Sequence, residues 1–150
     1  MADIVLRTAR ATLRSPRATD VVPLLAIRAA PEVVEWWGAP ALAELQACCD
    51  GRAAELFLVI EADGEVAGAI QAFEEEDEQF RHASIDLFIA PRHCNRGLGP
   101  EVIHALARYL ADERGHHRIT IDPAVDNVRA VRAYAKVGFR ETARFSTVMF

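Results

Sequence analysis

The stretch that decides the fold is Arg92-His93-Cys94-Asn95-Arg96-Gly97-Leu98-Gly99-Pro100, which joins a strand-like run to a strongly amphipathic segment. Glycines at 97 and 99 let backbone N–H groups approach a ligand closely. A helix beginning at Gly99-Pro100 presents its unpaired amides and the positive end of its dipole at the same place. The stretch therefore predicts an anion cradle, although an ordinary strand-to-helix turn has the same pattern.

The composition indicates one globular unit that binds a small cationic molecule. The chain has 150 residues, 51% of them hydrophobic, so a single domain over residues 1–150 is expected. A formal net charge of -5 disfavours nucleic acid as a partner. No apolar run has membrane-spanning length and Met1-Ala2-Asp3-Ile4 lacks signal-peptide features, so we expect a cytoplasmic protein. The spacing of the cysteines supports neither disulfides nor a zinc site, and no metal is expected.

Helical and extended segments alternate along the chain, which predicts an α/β or α+β layer arrangement. Asp63-Gly64 between two extended runs is a hairpin signal. Thr19-Asp20 is a candidate cap for a helix that carries Leu24 and Ile27. Further helices are predicted over 41–49, 101–113 and 127–137, and strands over 12–14, 56–61, 66–73, 81–89 and 118–122, with a last strand at Phe139 after a helix stop at Gly138.

Asp86 is a carboxylate inside the strand that leads to the anion cradle. Strand alternation puts Ile85, Leu87 and Ile89 on one face and Asp86 with Phe88 on the other. Such an aspartate is either a solvated or salt-bridged edge residue, or it lines a cleft as a base or a substrate anchor.

Asn127 and Tyr134 lie seven residues apart, so two helical turns bring both side chains to nearly one face. They can contact one ligand there. The plainer alternatives are a helix cap for Asn127 and a packed core position for Tyr134.

An acidic run separates two predicted strands. Its members are Glu74, Glu75, Glu76, Asp77 and Glu78. The run is either a solvated turn or a set of carboxylates that bind substrate ammonium groups. Gln71 and Asp122 could add hydrogen-bond acceptors, although Asp122 before Pro123 is equally typical of a turn.

Trp36 and Trp37 occupy a short segment bounded by Pro31 and Pro40, too interrupted for a long helix. One indole is expected to pack inside the protein. The other would stack on a sugar ring or fix the end of a cofactor. The sequence does not assign these two positions, and Trp36 is retained as a candidate substrate contact.

The order of strand, Arg96-Gly97-Leu98-Gly99 loop, helix, strand, Asp122-Pro123, Asn127 helix and Gly138-Phe139 resembles the GNAT N-acetyltransferases, which use acetyl-CoA. Within that superfamily, Val34-Glu35-Trp36-Trp37-Gly38 and the segment 122–134 look like the aminoglycoside 6′-N-acetyltransferases. The resemblance implies a mixed, mostly antiparallel sheet, splayed in the middle and flanked by helices. The pantetheine arm would lie in the splay, and the amine would approach from the opposite side.

The resemblance also implies roles for individual residues. Asp86 would receive the proton of the amine directly or through water, and Tyr134 would protonate the thiolate of CoA. A backbone N–H near Phe88 or Ile89 would meet the oxyanion. The cofactor-binding set comprises Phe88, Ile89, Arg92, Asn95, Arg96, Gly97, Leu98, Gly99, Pro100, Glu101 and Asn127. The substrate-binding set comprises Trp36, Gln71, Glu74, Glu75, Glu76, Asp77, Glu78, Asp86 and Asp122. Cys94 departs from the Gln or Arg usual at its position.

The expected activity is acetyl transfer from acetyl-CoA to an aminoglycoside, at the 6′-amino group, giving antibiotic resistance. Two alternatives stay open: an acetyltransferase for another amine, such as a polyamine, a siderophore precursor or a protein N-terminus, and a non-catalytic acyl-CoA-binding domain. Residues 140–150 contain no Gly or Pro. The last hairpin is therefore expected to be abbreviated or shared with a second copy in a homodimer.

Overall fold

The computed structural model describes residues 3–53, 55–121, 132, 134–136, 138–141 and 148–149. These residues form an eight-stranded sheet in the order β1-β2-β3-β4-β5-β6-β8-β7. Neighbouring strands are antiparallel except β5 and β6, which are parallel, so the expected mixed, mostly antiparallel sheet is confirmed. The strands are β1 (Val5–Arg7), β2 (Thr12–Arg14), β3 (Leu56–Ala62), β4 (Glu65–Glu75), β5 (His82–Ile89), β6 (Ile119–Ile121), β7 (Arg140–Glu141) and β8 (Val148–Met149).

Helices cover both faces of this sheet. They are α1 (Val21–Arg28), α2 (Pro31–Trp37), α3 (Leu42–Cys49) and α4 (Leu98–Asp112). On one face α4 packs through Val102, Ile103 and Leu106, all fully buried, as the spacing of its apolar residues predicts. On the other face α1, α2 and α3 enclose a second core around Leu24 and Phe88. None of the described helices combines the length and apolar character needed to cross a membrane.

Two sequence predictions are corrected near the N-terminus. β1 is an additional strand, too short to show an alternating pattern of its own. The Asp20 side chain does not cap α1. Its carboxylate instead accepts two hydrogen bonds of 2.8 Å from the Arg14 guanidinium and one of 2.6 Å from the backbone N–H of Arg17. This buried pair ties the entry of α1 to β2, a long-range use that a local capping pattern does not reveal.

Among the described residues, β5 extends beyond its pairing with β6. Their pairing runs from Ala83 opposite Ile119 to Ile85 opposite Ile121. Beyond that point β5 continues to Ile89, and over this stretch it pairs with β4 alone among the described strands. The open edge of β5 lies directly before the glycine loop, which is where the predicted splay belongs.

The described residues near the C-terminus form two paired strands. β7 and β8 pair within the chain, and β8 also pairs with β6. Gly138 has a φ of +105° before β7, in agreement with a helix stop. Of the helix predicted over 127–137, Arg132 and residues 134–136 are described and helical. The homodimer stays a prediction.

Candidate functional site

A cavity of about 220 Å³ lies over the central strands, and Asp86 and Gln71 line it together. The two residues are directly opposite each other in the β4–β5 ladder, which puts their side chains on one face. The remaining lining comes from Glu55, Phe73, Ser84 and Ile85. The sequence interpretation missed Glu55 and Phe73. The available signal was alternation, because Glu55 lies two residues before Phe57, the cross-strand partner of Gln71.

The Asp86 carboxylate and the Tyr134 phenol come within electrostatic reach of each other. One Asp86 oxygen accepts a 3.0 Å hydrogen bond from the backbone N–H of Leu87. Burial, and then the charge of Asp86, raise the pKa of Tyr134 to about 12. The Tyr134 ring also lies 6.3 Å from the ring of Phe139. The phenol therefore stays protonated at neutral pH, which is the form that can donate a proton.

The open edge of β5 offers backbone groups beside these side chains. Trp37 reaches that edge from α2, and its indole N–H donates a 3.0 Å hydrogen bond to the Leu87 carbonyl. Ladder alternation points the N–H of Ile89 to the same side, since the N–H of Ala90 donates to Ala67 of β4. No described strand pairs with β5 at Ile89 on that side. The Ile89 N–H is thus a candidate donor to a bound carbonyl oxygen.

As the sequence predicts, one of the two tryptophans packs against the protein and the other is exposed to solvent. Trp37 is half-buried, with its ring edge-on to Phe88 at 5.1 Å. Arg28, fully buried, lies over both rings and donates to the Trp37 carbonyl at 3.3 Å. Trp36 is 47% exposed. Trp36 is therefore the indole available to a ligand.

Gly68 of β4 allows the backbones of β4 and β5 to lie close together at Phe88. A Cβ at this position would lie 2.1 Å from the carbonyl oxygen of Phe88, closer than any real contact. A glycine inside a strand commonly marks such an approach of two backbones. The sequence interpretation gave Gly68 no role, although its position inside an apolar strand was visible.

The glycine loop has the geometry of an anion cradle. Asn95 and Gly97 have φ of +65° and +75°, and α4 begins at Leu98, slightly earlier than predicted. Among the described residues no side chain caps this helix, so its first amides face outward without a protein acceptor of that kind. Leu98 is buried as an anchor. Gly99 and Pro100 complete the first turn.

Cations around the loop are matched by carboxylates. Arg92 pairs with Glu65 and Arg96 with Asp63, both at 2.8 Å. The hydrogen bond from Arg96 is the main reason why the pKa of Asp63 lies below its usual range. Because these side-chain charges are paired, the backbone amides at the start of α4 are the main source of positive potential in the cradle.

Residues of the β1–β2 turn make hydrogen bonds to the glycine loop and to the first turn of α4. Glu101 accepts hydrogen bonds from the Thr8 hydroxyl and from the Arg10 backbone N–H, the latter at 2.9 Å. Burial opposes ionisation of Glu101, but these bonds outweigh it and lower its pKa. Arg10 also donates to the Arg96 carbonyl and lies where a Cβ of Gly97 would be. The positive φ of Gly97 and the nearby guanidinium both favour glycine at this position.

Most carboxylates of the acidic run at residues 74–78 make contacts within the protein. Glu74 accepts hydrogen bonds from Arg114 at 2.8 Å and from His116 at 2.7 Å, on the face of the sheet that carries α4. Glu76 lies 3.8 Å from Arg81. Glu75 and Asp77 accept backbone hydrogen bonds inside the turn, and Glu78 is exposed. The structure does not bring Glu74 together with Asp86. Asp122 and Asn127 lie outside the described residues.

The splayed sheet and the loop at the start of α4 define the class: this is the GNAT fold. Residues 10–140 match the family described as the acetyltransferase (GNAT) domain. The chain belongs to the GNAT acetyltransferase family, whose members use acetyl-CoA.

Similar proteins include aminoglycoside acetyltransferases. The aminoglycoside N(6′)-acetyltransferase type 1 of Klebsiella pneumoniae is 26% identical over 91% of this chain and 77% of its own length. The structure of aminoglycoside acetyltransferase AAC(6′)-Ib with coenzyme A superposes with a TM-score of 0.80 at 26% identity, covering 93% of this chain and 94% of that one. A spermidine N-acetyltransferase chimera from Vibrio cholerae and hSSAT has a TM-score of 0.77 at 22% identity, covering 94% and 93%, and shares the fold.

Proposed function

We propose that this chain transfers the acetyl group of acetyl-CoA to a primary amine of an aminoglycoside, the 6′-amino group, and so confers resistance. The observation that carries the proposal is the cavity over β4 and β5, which Asp86, Glu55 and Gln71 line together. Two carboxylates in one small cavity favour a substrate with several ammonium groups. The similarity to aminoglycoside acetyltransferases supports the same substrate class.

The glycine loop suits the pyrophosphate of the cofactor, since α4 begins without a side-chain cap and Gly97 leaves no Cβ in the way. Acetyl-CoA supplies an acetyl group activated as a thioester. In the proposal, amides from Gly97 to Glu101 hold the phosphates, with Arg92, Asn95 and Arg96 at the rim. Phe88 and Ile89 contribute the strand edge, and Asn127 remains the proposed pantetheine contact. The whole chain, residues 1–150, then acts as one acetyl-CoA-dependent domain.

Asp86 and Tyr134 divide the proton transfers of the reaction. The Asp86 carboxylate orients the ammonium group and takes one proton from it, directly or through water, which frees the nitrogen lone pair. As the new N–C bond forms and the C–S bond breaks, the Ile89 N–H stabilises the charge that develops on the carbonyl oxygen. Tyr134 gives its phenolic proton to the departing sulfur and regains one, directly or through water, from the acetylated nitrogen, which loses its second proton as the amide forms. Its high pKa keeps that proton available throughout the physiological range.

The acceptor contacts follow from the lining of the cavity. Glu55 and Asp86 bind ammonium groups, Gln71 orients a hydroxyl, and Phe73, half exposed, provides an apolar face for a sugar ring. Trp36 and Asp122 are retained as outer contacts. Of the acidic run, Glu75, Glu76, Asp77 and Glu78 could only add long-range attraction, and Glu74 is assigned a structural role because Arg114 and His116 already bind it.

Acetylation of a polyamine is the second candidate, because the same pair of carboxylates would also accept two ammonium groups on a flexible chain. The two functions differ in what Gln71 and Phe73 do. An aminosugar ring uses both, whereas a linear polyamine needs only the carboxylates. Loss of the Phe73 side chain should therefore affect turnover of the sugar far more.

Release of CoA thiol from acetyl-CoA tests the proposal, with kanamycin, tobramycin, spermidine and a short peptide as acceptors. We expect the two antibiotics to give the highest kcat/KM and the Asp86→Ala variant to lose most of it. Asp112→Asn is the control, because Asp112 pairs with Arg108 on the exposed side of α4. A preference for spermidine would support the second candidate. Cofactor binding without turnover on any of the four amines would contradict both.

A further inference from the structure

His93 is a buried histidine beneath the glycine loop, and the proposed mechanism does not use it. Its side chain is 2% exposed. Its Nε2 lies 2.7 Å from a carboxylate oxygen of Glu65, the first residue of β4. Its Nδ1 lies 3.3 Å from a terminal nitrogen of Arg96, the residue that precedes Gly97. The imidazole therefore connects the start of β4 to the loop.

These two contacts determine where the imidazole proton resides. A hydrogen bond from His93 is the main reason why the pKa of Glu65 is lowered, so this carboxylate is ionised and only accepts. Nε2 must then carry the hydrogen. A guanidinium has donors and no acceptor, so Nδ1 must receive the hydrogen bond from Arg96 through its lone pair. His93 is accordingly neutral in this arrangement, protonated on Nε2 alone.

Arg96 is held by two partners that a second proton on His93 would disturb. Its other terminal nitrogen donates to Asp63 at 2.8 Å, while Nδ1 of His93 lies 3.9 Å from the same carboxylate oxygen. A hydrogen on Nδ1 would face the Arg96 donor and would compete for Asp63. Arg96, 43% exposed at its side chain, would then turn towards solvent or towards an anion in the cradle.

We propose that His93 is a positioning residue for the cofactor loop: neutral, it holds Arg96 against Asp63, and protonated, it releases Arg96 to the phosphates of the cofactor. The inference rests on the proposed use of the loop for the CoA pyrophosphate. It predicts that the cofactor binds more tightly when His93 is protonated than when it is neutral.

The charges around His93 support this direction. Asp63 and Glu65 face it from the β3–β4 hairpin, and Arg92 and Arg96 from its own loop, so these four groups cancel while the imidazole is neutral. A further pair cancels nearby, Arg10 with Glu101. One proton on His93 therefore leaves the loop with a net positive charge beside the cradle, which favours an anion.

Calorimetric titration of the full chain with dephospho-CoA at about pH 8 and about pH 5.5 tests the inference. Dephospho-CoA keeps the pyrophosphate but lacks the 3′-phosphate monoester, which itself titrates near pH 6. We expect about two- to five-fold tighter binding at the lower pH, the size typical of one charge at a partly exposed site. Unchanged or weaker binding at the lower pH would overturn the proposal.

Two variants separate positioning from packing. His93→Asn keeps an acceptor near the Nδ1 position and should hold Arg96 in place at both pH values. His93→Gln keeps a donor near the Nε2 position for Glu65 and should release Arg96 at both. We expect flat pH profiles in both, with Gln binding dephospho-CoA more tightly than Asn. A wild-type pH dependence that survives in both variants would contradict the proposal.

Nitrogen-15 spectroscopy of the wild-type imidazole provides a readout that does not need a variant to fold. The geometry predicts the Nε2-protonated tautomer at high pH, and the opposite tautomer would overturn the inference. If dephospho-CoA does not bind at either pH, the glycine loop does not hold the CoA pyrophosphate, and the proposed role of His93 is rejected with it. The predicted pH pattern without acetylation of any aminoglycoside would instead uphold the role of His93 and reject the proposed substrate.

Discussion

Asp86 and Glu74 are two carboxylates of the same β4–β5 pair, on opposite faces of the sheet and in different environments. Glu74 faces α4, where Arg114 and His116 bind both of its oxygens. Asp86 faces the other side and lines a cavity with Gln71. Alternation along the strands thus determines which acids stabilise the protein and which are offered to a ligand. The sequence shows that both residues are acidic, but this alone does not distinguish their environments.

Among the substitutions that test this difference between Asp86 and Glu74, Asp86→Asn is expected to have the largest effect on activity. Loss of the proton acceptor should lower kcat/KM for an aminoglycoside by about 10²- to 10⁴-fold. The melting temperature should stay near that of wild type, because the side chain is exposed. Steady-state kinetics and thermal melting on one preparation check both halves. Activity within a few-fold of wild type would remove Asp86 from the proposed chemistry.

Tyr134→Phe is expected to have the next largest effect. Removing the phenolic proton donor should reduce kcat by about 100-fold, with little change in the KM for the amine. The pKa of about 12 predicts that wild-type kcat shows no loss from phenol ionisation up to about pH 10. A pH series of kcat for both proteins measures this. A kcat of the variant close to that of wild type would contradict the donor role, and a fall in wild-type kcat well below that pH, absent in the variant, would contradict the raised pKa.

Glu74→Gln should act on stability and leave turnover nearly unchanged, the reverse of Asp86→Asn. It weakens two hydrogen bonds to cationic or polar partners, at a cost of about 1–3 kcal/mol in the free energy of unfolding. Urea denaturation measures that cost, and kcat/KM measured beside it is the control. Strong loss of activity in a folded Glu74→Gln protein would break the comparison, since both faces would then serve the reaction.

The smallest expected effect is the loss of the stability that Glu74 contributes when the pH is lowered. Burial opposes ionisation of Glu74, but the bonds from Arg114 and His116 outweigh it and hold the pKa below its ordinary value. The carboxylate therefore contributes stability above the pKa of the unfolded chain, and this contribution is lost as the pH falls through the lower folded-state pKa. The stability difference between wild type and Glu74→Gln should shrink between about pH 6 and pH 3. A constant difference over that range would refute the assignment.

The sequence predicted most of the fold because its signals there are local. Asp63-Gly64 indicated the β3–β4 hairpin, and the apolar spacing after Pro100 indicated α4 and its buried face. The predicted cap at Asp20 was wrong because a partner distant in space, Arg14, competes for that carboxylate. β1 was missed because its stability comes from pairing with β2 rather than from its own pattern.

The candidate site was only partly predictable, for the same reason. Asp86 followed from strand alternation and the glycine loop from its motif, whereas Gln71 was named only as a possible hydrogen-bond acceptor. Glu55 lies far from Asp86 in sequence and reaches the cavity only through the register of β3 with β4. The partners of Glu74 come from the segment after α4, so its structural use was not visible in a run of acids.

Acetyl transfer to neomycin compared with paromomycin tests the central claim most directly, because the two antibiotics differ only at the 6′ position, an amine in the first and a hydroxyl in the second. We expect rapid CoA release with neomycin, giving a product acetylated on the 6′ nitrogen, and almost none with paromomycin. Equal rates on both antibiotics, or an acetyl group on another nitrogen of neomycin, would contradict that claim.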